Sequence, residues 1–314
     1  MKTPLPESGW PSKGLCSFKE DYFHQIEILS KRGILTLLPR SRSLGVIGFD
    51  GREYPLFPPE ELGKLYVCNK KLIDWKMKQG FTQLLLTPMA MSTPQILGLV
   101  RDAIWEHAQE GKIFRRKQSL SDPEVLARVN KEKPVWIWKR LQQTLDTSQL
   151  IYFPRAYSPS NHQGLNKEEV IRDRNFCAFP GWSVGLIEPF PKVAGKSKGK
   201  AIGGRKSLEE YCAPRDYLQT LNKPEYQGET GWTPEDFLIH FLIFLDVFNL
   251  VSHDRNEGNA LWLLGVYLPE LLPKAELVPV GYWDGNTGKL CLSAHRTGNR
   301  LQGWVGRTIV RLGT

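Results

Sequence analysis

Hydrophobic residues recur at helical spacing over residues 21–33 (DYFHQIEILSKRG) and 61–80 (ELGKLYVCNKKLIDWKMKQG), and both runs close on a glycine suited to a helix C-cap. Between them, LGVIGFDGREYPLF flanks Asp50-Gly51, a hairpin dipeptide, and predicts two short strands. FTQLLLTPM is a compact apolar strand stopped by Pro88. STPQILGLVRDAIWEHAQEGK predicts a helix: Ser92 or Thr93 caps it, Pro94 suits its first turn and Gly111 ends it. Its stripe is Ile96, Val100, Ile104 and Trp105. Residues 119–133 read as a polar linker, and 134–153 as an aromatic-rich start, a helix and a strand.

The texture changes near residue 150. GWSVGLIEPFP is a strand by alternation, and residues 191–206 form a Gly/Lys loop. Thr233-Pro234-Glu235-Asp236 opens a helix whose body, Phe237 to Val251, is apolar on most sides. That run is too short to span a bilayer and contains His240, Asp246 and Asn249. From Leu277 the chain reads as a β-meander. The expected class is therefore α+β, with a leader over 1–20, a mixed α/β region over 21–150 and a second unit over 151–314.

Within the meander, KLCLSAH alternates Leu290, Leu292 and Ala294 with Lys289, Cys291, Ser293 and His295. Side chains on a strand point to opposite faces in turn. One face is thus apolar and anchored, the other small and polar. Val278, Val280, Tyr282 and Trp283 anchor the strand before it, and Trp304, Val305, Ile309, Val310 and Leu312 the one after. Between the anchors lie Asp284 to Gly288 and Arg296 to Arg300.

With 41% hydrophobic and 24% charged residues in a chain of 314, the composition is globular rather than disordered or membrane-spanning. No apolar signal segment opens the sequence, so a cytoplasmic protein is expected. Cys16, Cys68, Cys177, Cys212 and Cys291 are widely spaced and include no CxxC pair, which points away from a disulfide framework or zinc site. Some of the net charge of +9 is local, at Arg115 to Lys117 and at Lys192, Lys196, Lys198, Lys200, Arg205 and Lys206. Such clusters attract polyanions. They support an alternative in which the chain binds nucleic acid through those basic loops, or they are simply solvated.

Catalytic patterns are sparse. Ser252 to Glu257 (SHDRNE) gathers useful groups, and His253, Asp254 and Asn256 would serve a hydrolase or transferase if they converged in a pocket. Capping of the long helix is the competing reading. His240 and Asp246, six residues apart, do not share a close helical stripe. Glu106-His107 lacks the HExxH pattern, the Gly/Lys loop lacks GxxxxGK[ST], and GxSxG is missing altogether. No metal and no cofactor is expected.

Tyr282-Trp283, the short strands after it, and Trp304-Val305-Gly306-Arg307-Thr308-Ile309-Val310-Arg311-Leu312 resemble the end of the C-type-lectin-like fold in its formylglycine-generating-enzyme-like branch. More specifically, they resemble the variable proteins of diversity-generating retroelements. GWSVGLIEPFP, GKAIGGRKSLEEY, and GWTPEDFLIHFL leading to NALWLLGVYLPE are similar to the scaffold of those proteins. Val305, Thr308 and Ile309 depart from the family's usual ending, and Cys291 lacks the partner cysteine of the enzymatic branch.

The resemblance implies a lectin-like fold over residues 151–314 and a non-enzymatic protein whose C-terminal strands and loops carry a hypervariable surface for a macromolecular ligand. The implied ligand-binding residues are Tyr282, Trp283, Asp284, Asn286, Thr287, Lys289, Cys291, Ser293, His295, Arg296, Thr297, Asn299, Arg300 and Gln302. Retroelements of this kind randomise adenines, so template AAC or AAT codons reach many residue types but not Lys, Glu, Gln, Met or Trp. Asn286, Ser293, His295 and Asn299 lie in the reachable set, and Lys289 does not. A solvent-facing meander without a binding role is the plain alternative.

Overall fold

The computed structural model describes residues 15–115, 125–188, 201–208, 210–272 and 275–313. Helix α1 (Leu15–Lys31) begins six residues earlier than the apolar periodicity suggests. A small antiparallel sheet follows, of β1 (Thr36–Leu37), β2 (Leu44–Ile47) and β3 (Glu53–Pro55), with Asp50-Gly51 in its second turn. The next helical run is broken at Asn69 into α2 (Pro59–Cys68) and α3 (Lys70–Lys78). Then come β4 (Gln83–Thr87) and α4 (Thr93–Gln109). Ile96, Val100 and Ile104 of α4 are buried as expected, whereas Trp105 falls off the stripe and is 46% exposed.

Short elements lead into the second half: β5 (Phe114–Arg115), β6 (Val125–Leu126), β7 (Val135–Ile137), α5 (Lys139–Gln142), β8 (Ile151–Tyr152), α6 (Lys167–Val170) and β9 (Ser183–Ile187). After them stand β10 (Ala201–Ile202), β11 (Arg205–Lys206), α7 (Pro214–Leu221), β12 (Glu229–Gly231) and α8 (Pro234–Phe248). The chain ends in β13 (Ala260–Trp262), β14 (Val266–Leu272), β15 (Ala275–Asp284), β16 (Lys289–Arg296), β17 (Trp304–Gly306) and β18 (Thr308–Arg311).

Helix α8 is the central element, because it is apolar on most sides and residues Pro234 to Leu245 are all buried. A capping box starts it: Asp236 N donates to Thr233 Oγ1 at 3.3 Å and Thr233 N donates to Asp236 Oδ2 at 2.9 Å. Asn249, at φ +54°, ends it in the left-handed conformation. It packs against α1, α4, β4 and β15. Gly281 lets it approach the sheet: a Cβ there would lie 2.7 Å from the Phe237 ring.

Two sheets cover this helix. The smaller has the antiparallel order β12-β18-β9-β4. In the larger, β15 carries β16 along one edge and shares its other edge between β14 and β13. Beyond these, β7 joins β16 and β17 joins β13, both in parallel, and β8 joins β14. The class is α+β.

One expectation is corrected here: the last strands do not continue a meander. β17 lies beside β13, and β18 crosses into the smaller sheet between β12 and β9. Strand pairing also crosses residue 150, since β4 pairs with β9 and β7 with β16.

Buried ion pairs add to this interweaving. Lys76 Nζ lies 2.7 Å from Glu229 Oε1, Lys167 Nζ 2.9 Å from Glu235 Oε1, and Arg311 reaches Asp236, whose Oδ1 accepts from Thr87 at 2.7 Å. No helix among the described residues is long and apolar enough to cross a membrane.

Candidate functional site: the outer face of the β15–β16 hairpin

Register decides which side chains the hairpin presents. Tyr282 opposes Cys291, Val280 opposes Ser293, Val278 opposes His295 and Asp284 opposes Lys289. These pairs share one face. Trp283 with Leu290, and Gly281 with Leu292, share the other. The second face is locked into the main core: Trp283, Leu290 and Leu292 are all 0% exposed, and Trp283 stacks on Phe241. Trp283, expected at the surface, therefore lies in the core and holds the frame.

The first face has a small apolar layer of its own, in which Trp262 of β13, Trp304 of β17 and Tyr217 of α7 join Val278, Val280, Tyr282 and Cys291. Tyr282 is buried to 8% and Cys291 to 4%, so both support this face rather than project from it. Burial pushes the Tyr282 phenol and the Cys291 thiol each up to about 12. The thiol stays protonated at neutral pH and is not an activated nucleophile.

Above this layer stand half-exposed Ser293, Lys289, Asp284 and His295. The His295 ring sits edge-on to Trp304 at 5.2 Å and to Trp262 at 6.1 Å. Burial first, and Arg255 second, lower its pKa, so the imidazole is neutral at physiological pH. The Arg255 guanidinium lies over the Tyr282 ring at 5.5 Å, and half-buried Trp136 of β7 lies beside Cys291 in register.

The two ends of the hairpin, roughly 24 Å apart along the strand, are both built to be rigid. At the turn, Asp284 accepts from Asn286 N at 3.1 Å and from Thr287 Oγ1 at 2.7 Å. Arg128 Nη1 donates to Asn286 O at 2.9 Å, and Asn256 Nδ2 donates to Asn286 Oδ1 at 3.1 Å. Asn286 and Thr287 remain exposed on this pinned backbone.

At the open end, Thr297 proves to be buried, its hydroxyl 3.2 Å from Glu276 Oε2 and its N donating to Glu276 O at 3.0 Å. It closes the hairpin and is withdrawn from the surface. Arg296, Arg300 and Gln302 are exposed and Asn299 half-exposed, with Arg300 paired to Asp216 at 2.9 Å. The structure thus gathers Asp284, Asn286, Thr287, Lys289, Ser293, His295, Arg296, Asn299, Arg300 and Gln302 on accessible ground. Tyr282 and Cys291 lie beneath it, and Trp283 and Thr297 are buried as well.

The other candidate residues fare differently. His253 is 2% exposed, packed among Trp232, Phe237 and His240. Asp254 instead caps the turn at Arg255–Glu257, accepting from Asn256 N at 2.9 Å, and Asn256 is exposed. These three do not converge, and the long helix ends at Asn249 rather than at this segment. Among the described residues, no group of three or more His, Cys, Asp or Glu could hold a metal ion.

Of the expected polyanion-binding residues, Lys196, Lys198 and Lys200 lie outside the described residues, as do Lys192, Arg116 and Lys117. Arg205 is 4% exposed and bidentate on Glu229, with both N–O distances 2.8 Å, so it is a core ion-pair member and not a free cation. Lys206 is exposed. Arg115 lies 3.0 Å from Asp254 Oδ2.

Sequence reasoning passed over Arg255, Trp136 and Trp262. Trp136 carried a usable signal, the alternation in VWIW, but its pairing with β16 joins segments more than 150 residues apart. No protein-family model matches the chain, and no match is found among curated proteins or solved structures.

Proposed function

We propose that this chain is a non-enzymatic, ligand-binding variable protein of a diversity-generating retroelement, with a C-type-lectin-like C-terminal unit. Its recognition surface is the outer face of β15–β16 with the loop over 296–302. One observation carries the reading. The hairpin is fixed from beneath by Trp283, Leu290 and Leu292, and its opposite face presents Ser293, His295 and Lys289 between two pinned ends.

A frame anchored in this way tolerates side-chain exchange, because substitutions away from the core and from hydrogen-bond networks usually change stability by no more than about 0.5 kcal/mol. Arginine side chains such as Arg255 and Arg296 suit recognition of a macromolecule, since arginine is enriched among the residues that dominate interface energetics. Short polar side chains on a rigid backbone add adaptable hydrogen bonding at small entropic cost.

The test is a displayed library randomised at Ser293, His295, Arg296 and Asn299. Most members are expected to fold with melting temperatures within about 4 °C of the parent, and selection against unrelated proteins is expected to yield distinct binders. A library that is largely unfolded, or that gives no binder against any target, sinks the reading.

A further inference from the structure

A cleft of about 200 Å³ opens at the base of the hairpin. Helix α7 lines it with Arg215, Leu218 and Gln219, the segment after β8 with Arg155 and Tyr157, and the hairpin with Glu276 and Thr297. We infer that this cleft is a carboxylate-binding site that takes an acidic side chain from a protein partner.

Both arginines are exposed, and neither guanidinium has a hydrogen bond or ion pair among the described residues. Arg215 is nevertheless placed. Its N donates to Thr297 O at 3.3 Å, and its guanidinium lies against Gly298, where an added Cβ would come within 2.7 Å of Nη2. The acid next to it in sequence, Asp216, is engaged by Arg300 at 2.9 Å. Arg155 is set by its own N, which donates to His162 O at 2.9 Å.

The charge of the wall selects the ligand. The lining includes two arginines and one carboxylate, Glu276, which accepts from the Thr297 hydroxyl. A single carboxylate entering the cleft brings this set to neutrality, whereas a phosphate dianion overshoots it. Leu218 and Tyr157 give apolar wall to the methylenes of a Glu side chain, and a cleft of this size holds one side chain rather than a chain of phosphates.

Arginine is the residue suited to planar, bidentate capture of a carboxylate. Of the 284–302 stretch, Thr297 lines this wall and Gly298 lies against Arg215, so the site requires those two positions to stay as they are while the rest of the stretch varies.

The experiment follows the Arg Nε–Hε resonances of the isotopically labelled full chain on titration with a blocked tetraglutamate peptide. Saturable shifts of Arg155 and Arg215 are expected, with none from tetraglutamine. Arg155→Gln and Arg215→Gln, both at exposed positions, are each expected to weaken binding roughly tenfold with an unchanged melting temperature, and Ser293→Ala and His295→Ala to leave it unchanged.

Peptide binding that is unaltered in the Arg155→Gln/Arg215→Gln double variant overturns the site. Glutarate binding as tightly as the peptide overturns the assignment to a protein segment, and inorganic phosphate doing so overturns the carboxylate chemistry. Failure of the displayed library with intact tetraglutamate binding would reject the recognition surface and leave the cleft standing.

Discussion

Tyr282 and Trp283 are neighbours on β15 that face opposite ways: the Trp283 ring stacks on Phe241 in the main core, and Tyr282 lies beneath Arg255 on the outer side of the sheet. Everything proposed for the hairpin depends on that division. Trp283→Ala is expected to cost about 3–5 kcal/mol, as for other large core aromatics truncated to alanine. His295→Asn and Ser293→Asn, on the outer side, should stay within about 0.5 kcal/mol of the parent. Urea unfolding of the three variants checks this; an outer-face variant as destabilised as Trp283→Ala would show that the face is structural.

Acid sensitivity follows from buried histidines. Burial holds His240 down to about 3 and His253 well below its ordinary value, so both are neutral when folded and take up protons on unfolding below about pH 6.5. Asp21 acts in the opposite direction. Burial raises it to about 7, so the folded state keeps a proton that the unfolded state releases above about pH 4.

Between about pH 4 and 6.5 these three groups give a net uptake of one proton on unfolding, and stability falls by about 1.4 kcal/mol per pH unit of acidification. Asp21→Asn is expected to steepen the measured slope by about one proton, and His240→Phe to flatten it. Denaturation series at several pH values measure both, and an unchanged slope in Asp21→Asn would contradict the assignment.

Arg205 separates a structural cation from a nucleic-acid contact. It is bidentate on Glu229, and its guanidinium lies over the Phe81 and Tyr226 rings at 4.8 and 5.1 Å. Removing one partner of a buried charge pair costs about 3–5 kcal/mol. Arg205→Gln should therefore lower the melting temperature while leaving the salt dependence of DNA or RNA binding by the folded protein unchanged. A reduced salt slope with normal stability would favour the basic-loop alternative.

Much of this arrangement was legible in the residues, and the remainder was not for identifiable reasons. The alternation in KLCLSAH gave the two faces of β16, because period two is a local property of a strand. The cap at Thr233 and Asp236 was equally local. Thr297 looked like a loop residue because its partner, Glu276, lies across the hairpin, and Arg205 looked like one more loop cation because Glu229 lies on a different strand. His253 looked catalytic because sequence proximity to Asp254 hides that its ring turns inward, from a backbone at φ +57°. The crossing of β18 into the smaller sheet has no local signature at all. Its partners, β9 and β12, lie far upstream.

The most direct measurement is to sequence the coding region for residues 278–312, with its genomic surroundings, across closely related cells. The account predicts a nearby reverse transcriptase and a near-repeat of this region differing mainly at adenines. It also predicts variation among relatives concentrated at codons such as those of Asn286, Ser293, His295 and Asn299, with Trp283, Leu290, Leu292 and Trp304 constant. Invariant residues over 284–302, with no reverse transcriptase and no near-repeat, would contradict it.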